Sequence, residues 1–151
     1  MVITRATEYA IRAVLFMAMQ PPGTTVLKKD ICREQDITPA FLTKILQPLI
    51  KSGIVGSQRG VRGGFFLNKD ADTITLLDVI KAEEGPIHLN LCLEEEGTCD
   101  RDTCCPVNRV WQEARAGLVE TLDRYTFAHL VEMTRQGQDL PLAKSASTFH
   151  Q

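Results

Sequence analysis

Four of the five cysteines, Cys92, Cys99, Cys104 and Cys105, fall within fourteen residues, whereas Cys32 stands alone. Thiolates grouped this closely bind metal ions, hold iron–sulfur clusters or form redox-active disulfides. The paired C-x2-C knuckles of a structural zinc site are absent, so the spacing favours a cluster or a redox switch. An iron–sulfur cluster usually takes four ligands, so an oxygen or nitrogen ligand is a candidate to complete it. A zinc site, a disulfide switch and unused thiols remain as alternatives.

Basic side chains are concentrated in the first part of the chain. Residues 1–69 contain ten lysines and arginines against four acidic residues, a charge of +6, whereas the remaining 82 residues contain seven against fifteen, a charge of −8. A basic half suits a polyanion such as DNA, and an acidic half does not. This asymmetry predicts a DNA-reading unit joined to a part with another role, and it excludes a uniformly basic nucleic-acid coat protein.

The elements that would position the basic side chains begin with three predicted helices. Apolar periodicity predicts helices over residues 4–19 and 27–34, with Cys32 of the second helix serving as a packing residue. Thr38 and Pro39 then form an N-cap and a first-turn proline, which begin a helix that ends near residue 52. A short helix, a tight turn and a second helix with polar outward positions are typical of a helix-turn-helix.

A basic hairpin follows directly. Residues 54–55 and 65–67 are predicted strands, and the loop between them is rich in glycine and contains Arg59 and Arg62. Glycines allow a tight hairpin tip, and a basic hairpin placed after a helix-turn-helix is typical of a wing that contacts DNA. The sequence therefore predicts a mainly α fold, a winged helix-turn-helix with a two-stranded wing and a long C-terminal dimerisation helix.

Double-stranded operator DNA is the predicted partner of this unit. Lys44 or Gln47 is expected to reach purine edges, Lys51 to meet phosphate, and Arg59 to enter a minor groove. The full set of predicted DNA-binding residues is Lys28, Thr38, Thr43, Lys44, Gln47, Lys51, Arg59 and Arg62.

The C-terminal part is predicted to sense and to dimerise. A helix over residues 73–83 with Thr75 as its cap precedes the cysteine-bearing loop, and Pro106 begins a helix of about five turns. This helix carries an apolar stripe with little chain left to cover it, which predicts a twofold dimer; packing back on the first helix is the alternative. The stripe consists of Val107, Val110, Trp111, Ala114, Leu118, Leu122 and Tyr125.

The predicted organisation is residues 1–85 for the winged helix-turn-helix, 86–105 for the cluster loop, 106–135 for dimerisation helices and 136–151 for a flexible tail. The longest apolar run has seven residues, at positions 13–19, which is too short to cross a membrane. Glu8 and Arg12 crowd that run, so we expect no secretory signal and a cytoplasmic protein. No nucleophile elbow or phosphate-binding glycine motif is present, and an enzyme is not expected.

Four sequence blocks carry a family resemblance over about residues 1–135. They are residues 4–10 (TRATEYA), 37–42 (ITPAFL), 59–65 (RGVRGGF) and 105–111 (CPVNRVW). On these blocks the chain resembles the IscR/NsrR-type family of winged helix-turn-helix iron–sulfur transcription regulators. The resemblance implies a homodimer, a dimerisation helix after the loop and a 2Fe–2S or 4Fe–4S cluster near that helix.

The resemblance also implies cluster ligands. IscR-like members place a histidine three residues after the third cysteine and three before a tryptophan; counting back from Trp111 gives Cys105 and Asn108 for these two positions. In other members an acidic residue on the first helix of the partner chain completes the cluster, and Glu8 stands at that position, although an ion pair with Arg12 would also explain it. The implied ligands are Cys92, Cys99 and Cys105, with Glu8, Cys104, Asn108 or His88 as the fourth.

The predicted function is a homodimeric transcription regulator, a repressor, whose operator affinity changes with an iron–sulfur cluster that senses redox state, nitric oxide or iron–sulfur status. Two alternatives stay open. The first is a regulator without a cluster, in which Cys104 or Cys105 senses oxidants as a thiol. The second is an iron–sulfur carrier or electron-transfer protein whose basic half is incidental.

Overall fold

The computed structural model describes residues 3–94 and 104–137. Within those ranges the chain is mainly helical, with one antiparallel hairpin and a single 3-10 turn at Leu91–Leu93. The elements are α1 (Arg5–Ala18), α2 (Lys28–Gln35), α3 (Pro39–Lys51), β1 (Val55–Gln58), β2 (Gly64–Leu67), α4 (Leu76–Glu84), α5 (Pro106–Arg124) and α6 (Phe127–Gly137).

Helix α1 lies at the centre of the main core. It contacts α2, α3 and β2 of the helix-turn-helix and wing, and also α4 and α6. Ala10, Ala13 and Val14 of α1 are fully buried, together with Leu42 of α3 and Phe127 of α6. Small residues on α1 let several elements approach it closely, so one apolar core joins the reading elements to the C-terminal helix.

The helix-turn-helix predicted from the sequence is confirmed. Asp36 adopts a left-handed conformation (φ 51°) that ends α2, and the amide of Ile37 donates to the Cys32 carbonyl (3.0 Å) across the turn. The Thr38 hydroxyl accepts from the Phe41 amide (3.2 Å), and Pro39 occupies the first turn of α3. Cys32 is half-buried against the core, which agrees with its predicted packing role.

The wing is also confirmed, although its strands extend further toward the hairpin tip than predicted. Strands β1 and β2 are antiparallel, and their register places Val55 opposite Leu67 at one end and Gln58 opposite Gly64 at the other. Val26 adds a bridge to Phe65, with N–O distances of 2.8 and 2.9 Å. A Cβ at Gly64 would lie 2.0 Å from the Val26 carbonyl oxygen, so glycine is required where the hairpin meets this segment.

Helix α4 begins at Leu76, three residues later than predicted. The Thr75 hydroxyl accepts from the Asp78 amide (3.1 Å) and the Asp78 carboxylate accepts from the Thr75 amide (2.9 Å), which forms a capping box. Residues 73 and 74 are therefore outside the helix. The predicted loop contains the 3-10 turn, the last helix continues to Gly137, and residues 95–103 and 138–151 lie outside the described part.

Helix α5 runs from Pro106 as predicted and packs on α4 through only part of its apolar stripe. Leu118 and Leu122 pack against a cluster of Leu77, Ile80 and Ile87. The members that stay exposed are Val107, Val110, Trp111, Ala114 and Tyr125. No helix of the described ranges is both long and apolar enough to span a membrane.

Candidate nucleic-acid interface and cysteine site

Helix α3 presents one polar face to solvent. Ala40, Lys44, Gln47 and Lys51 are exposed and recur every three or four residues, which places them on one side of the helix. The opposite face is buried in the core and consists of Leu42, Ile45, Leu46 and Leu49. The exposed face therefore offers two amines and an amide to a ligand, on a helix whose other side is fixed by packing.

The basic side chains of α3 and of the wing tip are not neutralised by acidic neighbours. Among the described residues, no carboxylate lies within ion-pair distance of Lys44, Lys51, Arg59 or Arg62, whereas Arg33 pairs with Asp30 and Glu34, and Arg124 with Glu120. Unpaired positive charge in this region raises the local potential and attracts a polyanion.

The wing tip places its two arginines in solvent. Arg59 and Arg62 are exposed, and the turn between them is closed by the Gly63 amide, which donates to the Gly60 carbonyl (2.9 Å). Gly60 has φ of 110°, and a Cβ at Gly63 would lie 2.3 Å from the Gln58 carbonyl oxygen. The glycines thus permit a tight tip from which long basic side chains can reach outward.

Three of the predicted DNA-binding residues also make contacts within the protein. The Thr38 hydroxyl caps α3. Lys28 Nζ donates to Thr43 Oγ1 (2.6 Å), and that hydroxyl donates to the Pro39 carbonyl (2.9 Å). Lys28 and Thr43 are half-buried and Thr38 is exposed, so the pair of Lys28 and Thr43 links α2 to α3 at the edge of the exposed face.

Cys92 and Cys105, at the two ends of the loop, both lie next to α5. Cys92 lies in the 3-10 turn, which contacts α5, and Cys105 is the half-buried N-cap residue of α5. His88 Nδ1 hydrogen bonds to the Leu93 carbonyl (2.7 Å) and thereby ties down the turn that carries Cys92. Cys104 is exposed. Cys99 lies outside the described residues.

The candidates for a fourth ligand lie in different settings. Asn108 is buried on α5 and its Oδ1 accepts from Gln112 Nε2 (2.7 Å). Glu8 is exposed on α1, and the ion pair with Arg12 does not form: Arg12 Nε donates to Gln35 Oε1 (3.0 Å) and its guanidinium lies 5.0 Å from the Tyr9 ring centre. Glu8 is therefore not held by Arg12.

The donor chemistry suits a thiolate-bound cluster, although one chain does not assemble it within the described part. Among residues 3–94 and 104–137, no three His, Cys, Asp or Glu side chains come together as a metal site. Cys92 and Cys105 are the two half-buried thiols of the described loop region, and two thiols are fewer than the four ligands that an iron–sulfur cluster usually takes.

Comparison with known proteins identifies the family. Residues 3–133 match the model of the Rrf2 family, described as an iron-dependent transcriptional regulator. The chain belongs to the Rrf2 family. It is therefore a DNA-binding transcriptional regulator, and the winged helix-turn-helix expected from the resemblance is confirmed.

Several relatives of this Rrf2-family chain are known. Protein aau3 of Rhizobium meliloti (strain 1021) is 34% identical over 135 residues, which cover 89% of this chain and 87% of that protein. CymR (YrzC), the global cysteine regulator of B. subtilis, has a TM-score of 0.71 at 27% identity and covers 87% of this chain and 97% of its own. IscR of T. potens has a TM-score of 0.72 at 22% identity, with 91% of each chain covered, and so supports the fold alone.

One polar network of the Rrf2-family chain has no signal in the sequence. The Glu84 carboxylate at the end of α4 accepts from the Thr4 amide (3.0 Å), the Thr4 hydroxyl (2.7 Å) and the buried Thr7 hydroxyl. The hydrogen bond from Thr7 is the main reason why the pKa of Glu84 is lowered, with further lowering from Thr4. Burial, and then repulsion by Glu84, raise the pKa of Glu83 to about 7.

Proposed function

We propose that this Rrf2-family regulator is a homodimer that reads operator DNA with α3 and the wing, and that an iron–sulfur cluster on the loop cysteines changes its operator affinity. The observation that carries the proposal is that one chain combines a basic surface on α3 and the wing with two loop cysteines next to α5. Unneutralised basic side chains lie on α3 and the wing, and the turn and cap that carry Cys92 and Cys105 lie against α5.

The residues proposed to read DNA fall into two groups. Lys44 and Gln47 on the exposed face of α3 suit base edges in a major groove, while Lys51 and Arg62 suit phosphates. Arg59 at the wing tip suits a narrow minor groove, where negative potential is concentrated. The opposite face of α3 is packed in the core, so the backbone that carries Lys44, Gln47 and Lys51 is in place before DNA binds.

The proposed dimer uses the exposed part of α5. Val107, Val110, Trp111 and Tyr125 form an apolar surface with no cover from the described part of its own chain. A second copy placed antiparallel on the same surface would bury it symmetrically. Helix-turn-helix dimers place their two reading helices about one turn of DNA apart, so a twofold dimer through α5 would present two α3 helices to one operator.

The proposed cluster ligands are Cys92, Cys99 and Cys105, completed by Glu8 of a second copy or by Cys104. When bound, the cluster would supply a redox-sensitive link among these thiolates. Cys92 and Cys105 border α5, so ligation would fix the turn and the cap relative to the dimer helix. Exposed Glu8 is available to a second copy, and its ligation would tie α1 of one chain to the loop of the other.

The test is anaerobic purification and reconstitution with iron and sulfide, followed by visible absorption and by iron and sulfide counts. We expect a coloured protein that loses iron in Cys92→Ala, Cys99→Ala and Cys105→Ala. Cys32→Ala is the matched control, because Cys32 packs in the core away from the loop and should retain iron. Unchanged iron content in the three loop variants would contradict the cluster.

A thiol sensor is the second candidate, and one observation favours it. Cys104 is exposed directly beside Cys105, and exposed thiols are the ones open to oxidation. A structure of CymR from Staphylococcus aureus in an oxidized form is also similar in fold (TM-score 0.69, 23% identity, covering 87% of this chain and 97% of that one). Metal-free protein whose operator binding follows disulfide formation, and recovers with reductant, would support this candidate over the cluster.

A further inference from the structure

Thr43 lies beside the face of α3 that we propose reads DNA. It lies one turn from the exposed residues Ala40 and Gln47 and is itself half-buried, at the edge of the exposed face nearest α2. A threonine there can contact a base in two ways. Its hydroxyl can hydrogen bond to a base edge, or its methyl can pack on the methyl group of thymine.

The hydroxyl proton of Thr43 and one of its two lone pairs are engaged within the protein. Its single proton is donated to the Pro39 carbonyl (2.9 Å), one turn earlier on the same helix, and its oxygen accepts from Lys28 Nζ of α2 (2.6 Å). A hydroxyl has one proton and two lone pairs, so Thr43 has no proton left for an acceptor on a base. A charged donor at 2.6 Å also makes the arrangement costly to break.

These hydrogen bonds determine which part of the Thr43 side chain can contact bases in the major groove. Because the Thr43 hydroxyl hydrogen bonds to Lys28 and to the Pro39 carbonyl, the methyl is the branch of this side chain that remains to contact a base. We infer that Thr43 is a specificity-determining residue that recognises a thymine methyl, while Lys28 positions its hydroxyl away from the bases. This inference rests on the proposed use of α3 as the reading helix.

The experiment begins with selection of duplexes from a random pool by the full-length protein, followed by anisotropy titration of the enriched duplex. Each thymine is replaced in turn by deoxyuridine, which removes only the C5 methyl. We expect one thymine in each half-site at which this replacement weakens binding about fourfold, the effect of exposing one methyl-sized group.

Two matched variants distinguish the contribution of the Thr43 methyl from that of its hydroxyl. Thr43→Val keeps the methyl and loses the hydroxyl, whereas Thr43→Ser keeps the hydroxyl and loses the methyl. We expect Thr43→Val to retain the fourfold preference for thymine over deoxyuridine and Thr43→Ser to lose it. Helix content by circular dichroism checks that both variants fold.

The outcomes distinguish this inference from the proposed function. The inference would be overturned if no thymine replacement in the enriched duplex weakened binding. It would also be overturned if the preference for thymine survived in Thr43→Ser and disappeared in Thr43→Val. Either outcome would leave the proposed recognition of DNA by α3 intact. A pool with no enriched sequence would instead overturn the proposed operator recognition, and the inference with it.

Discussion

Replacement of Val110 by alanine tests the dimer surface on α5 with little disturbance of the helix. Val110 is 60% exposed, and alanine is the better helix former. The change removes two carbons, each worth about 0.8 kcal/mol when fully buried. Covering the exposed 60% is thus worth about 1 kcal/mol per protomer, and twofold symmetry doubles the loss to about 2 kcal/mol. The dimer dissociation constant should rise about thirtyfold.

Sedimentation equilibrium over a range of protein concentrations measures this constant directly. Arg109→Ala is the matched control, because Arg109 is exposed on the same helix, next to Val110 in sequence but outside the apolar stripe. We expect the control to dimerise as the unaltered protein does. A Val110→Ala dissociation constant equal to that of the unaltered protein would refute the assignment of this surface to the dimer.

Four further predictions concern single side chains. Lys44→Ala and Arg59→Ala should each weaken operator binding by about 1–3 kcal/mol if they read bases, as measured by titration; equal weakening on unrelated duplexes would mark them as phosphate contacts. Glu83 has a raised pKa, so its charge destabilises the fold above about pH 7 and not below pH 4.5. Glu83→Gln should therefore increase the free energy of unfolding at pH 8, by about 1 kcal/mol after allowance for solvent screening, and have no effect at pH 4; urea titrations at both pH values check this. Glu84 has a lowered pKa, so Glu84→Gln should destabilise the fold at pH 7, and this loss should shrink as the pH falls below 4.5; a parallel pH profile for the Glu83 and Glu84 variants would be inconsistent with the network. Thr75→Ala should cost about 1 kcal/mol in the same titrations by removing the cap of α4, and an unchanged midpoint would argue against the capping box.

The parts of the fold that the sequence predicts are those with local signals. Thr38 and Pro39 define the start of α3 because a cap and a first-turn proline act within three residues. The wing glycines predict the hairpin for a similar reason, because a tight hairpin tip requires glycine at fixed positions. The sequence predicts the start of α4 three residues too early because Ile74 extends the apolar pattern, whereas in the structure the helix begins after the Thr75 cap.

The contacts that the sequence does not predict join distant residues. Glu84 meets Thr4 and Thr7 from 77 to 80 residues away, and Lys28 reaches Thr43 across the helix-turn-helix. Each side chain looks like an ordinary exposed polar residue in isolation, because only tertiary packing decides which partner it meets. The cysteine site is limited in the same way: the spacing predicts thiolate chemistry, but the proposed sharing of ligands between two chains depends on how those chains assemble.

The position of Phe127 has a consequence for any attempt to isolate the reading unit. Its ring is fully buried against α1, and backbone hydrogen bonds link Phe127 to Ile74 and Ala128 to Ala71. A fragment that stopped at residue 85 would lack this ring, and loss of a buried phenylalanine side chain alone costs about 3–5 kcal/mol. That is a large share of the whole stability of an ordinary domain. Helix α6 therefore belongs to the same folding unit as the helix-turn-helix and the wing, and a fragment without it is expected to lose most of its stability.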